Sequence, residues 1–285
     1  MSTWLFGLPT AKTLVVRENI THAALGYWTA PSIQWFDTVN FKNLTSIDYK
    51  WCTYPSIRNG RAAVKKAGTA SQLKKLRFTW YLDGAPTLGL DGSIANVWAT
   101  QQTLRELTIL PGMCYEVPQR PWSPTRFTNF TALQILHVPA FAFFEEMSCG
   151  SLKANPNRVG FELRSDITTL LPPNVRELEI WFRYPSGIFA TGGTKMRQFQ
   201  ELSEPERLKW CGWIPALLQL HSLRRVGMSE SLCAHDGGGC WKQERGSWPS
   251  CKFILPEVVS EAFAKVGVDL EIIALNRMAV YHGMY

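Results

Sequence analysis

The stretch Leu104-Arg-Glu-Leu107-Thr-Ile109 decides the fold, because its pattern, Leu-x-x-Leu-x-aliphatic or aromatic, recurs along the 285-residue chain. Close copies begin at Leu44, Leu73 and Leu133, looser ones begin at Val175 and Leu223, and a degenerate one is Ala11-Lys-Thr-Leu14-Val-Val16. Successive copies start 33, 29, 31, 29, 42 and 48 residues apart. A phrase repeated at roughly 30 residues predicts an array in which each unit buries its apolar side against its neighbours.

Each phrase is predicted to contain a short β-strand. Its apolar members alternate with polar ones, and a period of two is expected of a strand that buries one face. The segment Val268–Leu275 has a similar pattern and is predicted to be an eighth strand. Strands that alternate with helical segments indicate an α/β fold with parallel strands and with helices on the other side of the sheet. We therefore expect residues 1–285 to form a single domain of seven to eight irregular repeats.

The segments between the phrases contain helix signals. Residues 93–103 have helical spacing, which predicts that Ile94, Val97 and Trp98 are buried, and residues 166–172 predict a short helical turn that Asp166 caps.

The two clearest helices lie in the last third of the chain. A helix from Glu206 to Leu220 follows the capping box Ser203-Glu-Pro-Glu206, and Pro215 should kink or split it. Its apolar stripe predicts that Trp210 and Trp213 are buried. A helix from Pro256 to Val266 should end at Gly267 and direct Val258, Val259, Ala262, Phe263 and Val266 inward.

The phrases resemble leucine-rich repeats over roughly residues 11–275. The asparagine position typical of such repeats is missing, and the repeat lengths are irregular, which makes the chain similar to the divergent leucine-rich-repeat proteins of filamentous fungi. Phrases such as Leu171-Pro-Pro-Asn-Val-Arg-Glu-Leu-Glu-Ile180 are in that style. The resemblance implies an α/β solenoid, with a curved parallel sheet on the concave side and helices and irregular segments on the convex side.

Many relatives of that kind carry an N-terminal F-box that docks them on a cullin-type ubiquitin ligase. The resemblance therefore implies an F-box-like protein that recognises substrates for such a ligase. The first phrase begins at Ala11 and leaves no room for an F-box, so we expect that a ligase-bound form would carry it outside this chain, as in a truncated protein. Leu255-Pro-Glu-Val-Val-Ser260 is similar to the start of an F-box, but its pattern indicates an outer helix.

Composition favours a protein with a core. Hydrophobic residues make up 46% of the chain and charged residues 19%, which excludes disorder by composition. The net charge is +7, but no run of five like charges occurs, so the sequence argues against nucleic acid as the partner. Nothing in the chain approaches a membrane span, and the N-terminus does not have the form of a signal peptide. We expect a cytoplasmic or nuclear monomer.

The alternate members of the strands should lie on the concave face, where a solenoid binds its partners. The early strands place Lys50, Lys75 and Arg77 there as a basic patch, and later strands place Glu106, Glu177 and Glu179 there as an acidic patch. Trp181, at a strand end, is the tryptophan expected to be exposed. We expect a protein or peptide partner on this face, no enzymatic activity and no cofactor. The predicted partner-binding residues are Lys50, Lys75, Arg77, Glu106, His137, Glu177, Glu179, Trp181 and Arg225.

Two features leave an enzyme open as the alternative. Glu177 and Glu179 share one face of a strand, and a carboxylate pair can perform the acid/base chemistry of a hydrolase. The loop with Cys233, His235, Cys240 and Cys251 could bind zinc through three thiols and an imidazole, although its spacing matches no common zinc motif. A disulfide or free thiols remain open for the same loop.

Overall fold

The repeated phrases form the strands of one sheet. The computed structural model describes residues 22–25, 44–49, 69–80, 90–95, 97–111, 123–144, 165–183, 203–231, 250–252 and 255–275. In chain order, the strands in these ranges are β1 His22–Leu25, β2 Ser46–Tyr49, β3 Lys75–Trp80, β4 Glu106–Pro111, β5 Ile135–Pro139, β6 Glu177–Arg183, β7 Arg225–Ser231, β8 Ser250–Lys252 and β9 Asp269–Leu275.

The sheet is parallel except at one edge. Its strand order is β1-β2-β3-β4-β5-β6-β7-β9-β8. Strands β1 to β7 each pair with the next strand along the chain, and β9 pairs with β7, all in parallel register. Only β8 is antiparallel, where it pairs with the outer side of β9. The expected α/β architecture with a parallel sheet is thereby confirmed, as is the predicted strand at residues 268–275.

The start of the sheet differs from the prediction. The degenerate phrase Ala11–Val16 lies outside the described residues, and the first described strand is β1, where Ala23 is in register with Ile47 and Leu25 with Tyr49. The segment Ile20-Thr-His-Ala23-Ala-Leu25 is therefore a further blurred copy of the phrase. Its alanine at the second apolar position hid this copy from a search for leucine.

The apolar members of each phrase form the core. A tight turn precedes the strand, as where the Leu73 N–H donates to the Ala70 carbonyl at 3.0 Å and the Leu223 N–H donates to the Leu220 carbonyl at 2.9 Å. The first phrase leucine is buried in this turn, and the next two apolar residues are buried from the strand. The buried set in the four sharp copies is Leu44, Ile47, Leu73, Leu76, Phe78, Leu104, Leu107, Ile109, Leu133, Leu136 and Val138.

Short helices lie between the strands. The α-helices of the described residues are α1 Leu90–Ala95, α2 Glu204–Cys211 and α3 Glu257–Lys265. The described residues also form 3-10 helices at Trp98–Thr100, Ala140–Ala142, Ser165–Thr169 and Ile214–Gln219. None of the helices in this part of the chain is long and apolar enough to cross a membrane.

Helix α2 confirms the prediction that Pro215 splits the helical segment. The Ser203 backbone N–H and hydroxyl both donate to Glu206 Oε2, at 2.9 and 2.7 Å, and this capping box starts the helix. The α-helix ends at Cys211, and a 3-10 helix begins at Ile214. Proline has no N–H to donate, and its ring clashes with the carbonyl four residues earlier, so the α-helix cannot continue through residue 215.

The predicted inward faces of two helical segments were partly wrong. Helix α3 does end at Gly267, which has a φ of 68°, and it buries Val259 and Phe263. Val258 and Val266, however, are 55% and 52% exposed. Of the tryptophans expected to be buried, Trp213 is buried, whereas Trp98 is 52% exposed because the chain changes from α-helix to 3-10 helix ahead of it. The side chain of Trp210 lies outside the described residues.

Candidate functional site

The strand pairing lines up the alternate members of the phrases in rows across one face of the sheet, which we call the strand face. One row joins Arg77, Thr108, His137, Glu179 and Gly227 through successive pairings, and it continues to Glu271 on β9. A parallel row on the same face, two residues earlier in each strand, contains Ser46, Lys75, Glu106, Ile135, Glu177, Arg225 and Asp269.

The two predicted charge patches are not separate. On the early strands, Lys75 Nζ lies 2.5 Å from Glu106 Oε2, so a residue of the predicted basic patch is paired with one of the acidic patch. Arg77 Nε lies 4.0 Å from Asp48 Oδ1. Among the described residues at this end of the strand face, each of these two cations thus has an anionic neighbour. Lys50, the third predicted basic residue, lies outside the described residues.

The later strands bring four of the predicted residues into one group, joined by hydrogen bonds and a longer ion-pair contact. Glu177 Oε1 accepts from Arg225 Nη1 at 2.8 Å and lies 3.1 Å from His137 Nε2. On the other side of the imidazole, His137 Nδ1 lies 3.9 Å from Glu179 Oε2. The imidazole thus stands between two carboxylates that belong to the neighbouring strand.

Glu179 is the least exposed member of this group, at 5%. Its Oε1 accepts a hydrogen bond from Trp181 Nε1 at 2.8 Å, and the Trp181 ring lies edge-on to His137 with ring centroids 6.1 Å apart. Gly227 faces Glu179 from β7, and a β-carbon there would lie 3.4 Å from Glu179 Cγ. The expectation of an exposed Trp181 is met only in part, because the ring is half-buried against His137.

Two further carboxylates complete the group, although the prediction from the phrases did not include them. Arg225 Nη2 lies 3.6 Å from Glu271 Oε2, and Arg225 Nε lies 3.9 Å from Asp269 Oδ2. The signal for both residues was the same alternation in Val268–Leu275. We call His137, Glu177, Glu179, Trp181, Arg225, Asp269 and Glu271 the acidic cluster.

The acidic cluster has an excess of negative charge. Glu177, Asp269 and Glu271 lie within 4 Å of the Arg225 guanidinium, and Glu179 lies beside His137, so the cluster contains four carboxyl groups and one guanidinium. Asp269 is the most accessible of the four, with 73% of its side chain exposed. A cluster of this kind attracts cationic groups, and the half-buried Trp181 adds an aromatic surface beside it.

The zinc hypothesis falls mainly outside the described residues. Cys233, His235 and Cys240 lie there, and Cys251 is described only as a member of β8, in register with Ala274. Within the described part of the chain, no group of three or more histidine, cysteine, aspartate or glutamate residues is arranged to hold a metal ion.

Comparison of the chain with protein-family models, with curated proteins and with solved structures finds no match.

Proposed function

We propose that this chain is a leucine-rich-repeat solenoid that acts as a protein-protein interaction scaffold and binds a partner on its strand face. The observation that carries the proposal is the acidic cluster, in which polar residues from β5, β6, β7 and β9 meet on one face of a continuous sheet. The partner is a protein or peptide with a basic segment, whose Lys or Arg side chains approach Asp269 and Glu271. Opposite charges of this kind set the specificity and rate of association.

The geometry favours binding over the alternative of a hydrolase. The Glu177 carboxylate accepts a hydrogen bond from Arg225 and also contacts His137. Glu179 lies two residues further along the same strand, so both carboxylates approach a ligand from one side. Glycosidases need two carboxyl groups that flank the bond they cleave. The arrangement of Glu177 and Glu179 therefore suits a recognition surface better than a catalytic pair.

The role in a ubiquitin ligase is a further part of the proposal. The chain would recognise a substrate on the strand face, while an F-box outside this chain would dock on the Skp adaptor. This part depends on the resemblance to fungal F-box proteins and is separable from the binding function.

A charge reversal with a matched control tests the proposal. The test variant carries Asp269→Lys and Glu271→Lys, and the control carries Glu257→Lys and Glu261→Lys, which are exposed on α3 and produce the same change in net charge. Affinity capture from lysate should recover a partner with the wild type and with the control, and the test variant should lose it. Both variants should unfold within a few degrees of the wild type, because exposed charges contribute little to stability.

The outcomes separate the parts of the proposal. Loss of the same partner from both variants would show a nonspecific charge effect and would contradict binding at the strand face. A Skp adaptor and a cullin among the captured proteins would support the ligase role, whereas a partner captured without them would support the scaffold alone.

A further inference from the structure

A further row of residues runs along the end of the sheet at which the parallel strands begin, with one residue immediately before each strand from β2 to β7. The carbonyl of each member accepts N–H groups from the next repeat, two in every case except Arg224, which accepts only from Asp269; Lys74, for example, accepts from Arg105 and Glu106 at 2.7 and 2.9 Å. The same pair of hydrogen bonds links the Gln134 carbonyl to the repeat that begins at Arg176, and the Arg176 carbonyl to the repeat that begins at Arg224. The members of this row, which we call the edge row, are Thr45, Lys74, Arg105, Gln134, Arg176 and Arg224.

Among the described residues, the edge row is cationic. Lys74, Arg105, Arg176 and Arg224 are all exposed. Within the described residues, no carboxylate lies within ion-pair distance of any of the four, although the neighbouring Lys75 and Arg225 both pair with carboxylates. Consecutive residues of one phrase thus differ in role, because Arg225 belongs to the acidic cluster and Arg224 to the edge row.

A pocket of about 300 Å³ opens where this edge row reaches β6 and β7. Among the described residues, it is lined by Arg176, His221, Ser222 and Arg224. The Arg224 N–H donates to the Arg176 carbonyl at 2.7 Å, which fixes the two arginines side by side on neighbouring strands. The turn before β7, closed by the Leu223 N–H on the Leu220 carbonyl at 2.9 Å, supplies His221 and Ser222.

Within the described part of the chain, the side chains that line the pocket have donors without a partner. Arg224 Nη1 makes only a long contact of 3.4 Å to the carbonyl of the adjacent Leu223. Two guanidinium groups on adjacent strands repel one another unless an anion lies between them, and their planar forks match the oxygens of a phosphate group. His221 and Ser222 add an imidazole and a hydroxyl that can donate to further oxygens.

We infer that this pocket is a binding site for a phosphate dianion, held between Arg176 and Arg224 with His221 and Ser222 as additional donors. The ligand is either a small phosphate compound in solution or a phosphomonoester on a side chain of another protein, since both present the same oxygens. The site is separate from the acidic cluster and does not depend on the function proposed for it.

The test is calorimetric titration of the folded protein with inorganic phosphate at low ionic strength. We expect saturable binding with a Kd on the order of 1 mM or tighter. Arg176→Gln and Arg224→Gln should each weaken it roughly tenfold, because each removes a charge-assisted pair of hydrogen bonds. Arg105→Gln is the matched control, since it removes an arginine of the same edge row two strands away and should change the Kd less than about twofold.

A second titration identifies the source of the phosphate group. It uses a peptide with one phosphoserine and the same peptide without the phosphate. Tighter binding of the phosphopeptide than of inorganic phosphate, with no binding of the unmodified peptide, would support the site and indicate a phosphorylated partner. Equal affinities would support the site and indicate a small ligand.

Two results would overturn the inference. One is phosphate binding that does not saturate, or that Arg176→Gln and Arg224→Gln leave unchanged. The other is an equal loss from Arg105→Gln, which would show a diffuse attraction of anions to the whole edge row instead of a site. Circular dichroism of the three variants, all at exposed positions, would establish that they are folded.

Discussion

At the scale of single residues, Gly227 determines whether the strand face can hold a nearly buried carboxylate. A β-carbon at this position would lie 3.4 Å from Glu179 Cγ, which is tight but tolerable, whereas a longer side chain would occupy the space of Glu179 itself. We expect Gly227→Ala to change the free energy of unfolding by less than about 1 kcal/mol and Gly227→Leu to lower it by about 1–3 kcal/mol. Urea denaturation measures both variants, and equal effects would contradict the packing described for Glu179.

Cys211 gives a pH-dependent prediction. Its buried thiol donates to the Arg207 carbonyl at 2.9 Å, and burial raises the pKa of Cys211 from its ordinary 9.0 to about 11. The folded state therefore holds this proton more tightly than the unfolded state, so the stabilisation is complete below pH 9 and is lost as the pH rises towards 11.

Unfolding free energies of the wild type and Cys211→Ala, measured between pH 8 and pH 11, test this prediction. The wild type should lose stability more steeply above pH 9 than the variant does, whatever the constant offset caused by the missing sulfur. Parallel curves for the two proteins would show that the thiol titrates normally in the fold.

The predictability of the site also depends on particular residues. The alternation in the phrases identified His137, Glu177, Glu179 and Arg225, because the parity of a strand is visible in one sequence. The pairing of Lys75 with Glu106 was not visible, because it depends on the register between strands 31 residues apart in the chain. The prediction therefore treated the basic and acidic residues as two separate patches. The strands in fact place Lys75 and Glu106 side by side.

At the scale of the elements, helix α3 shows how a helix face is set. Val258 and Val259 are adjacent and chemically identical, but Val258 is 55% exposed and Val259 is 1% exposed. We expect Val259→Ala to lower the free energy of unfolding by about 2 kcal/mol, since it removes buried methyl groups, and Val258→Ala to change it by less than about 0.5 kcal/mol. Thermal or urea unfolding of the pair is the measurement, and similar losses from both would mean that α3 packs through a different face.

The helix signals in the sequence predicted where the helices begin and end better than they predicted which side chains are buried. The capping box at Ser203 and the break at Pro215 depend on local chemistry, and both are confirmed. Trp98 and Val266 were placed on the wrong side because the helices here are one to three turns long. A 3-10 helix begins at Trp98, and Val266 is the C-cap residue after α3, so both lie beyond the α-helix whose period of 3.6 was used to predict the buried face.

At the scale of the whole molecule, each parallel strand except the last pairs with its neighbour in sequence, so the strand face grows one repeat at a time. The phrase alone predicts this order, because a repeated unit buries its apolar side most simply against the next copy. The position of β8 beyond β9 was not predictable from the phrase. This short antiparallel strand covers an edge of β9 that would otherwise present unpaired backbone groups.

The central claim is that the partner binds on the strand face, and the most direct measurement is site-specific crosslinking. A photoreactive amino acid would replace Ser229, which is in register with Trp181 on the neighbouring strand, or Ser260, which is exposed on α3. With the partner captured from lysate, we predict crosslinks from residue 229 and none from residue 260. Crosslinks from residue 260 alone would place the partner on the helices and would contradict the account.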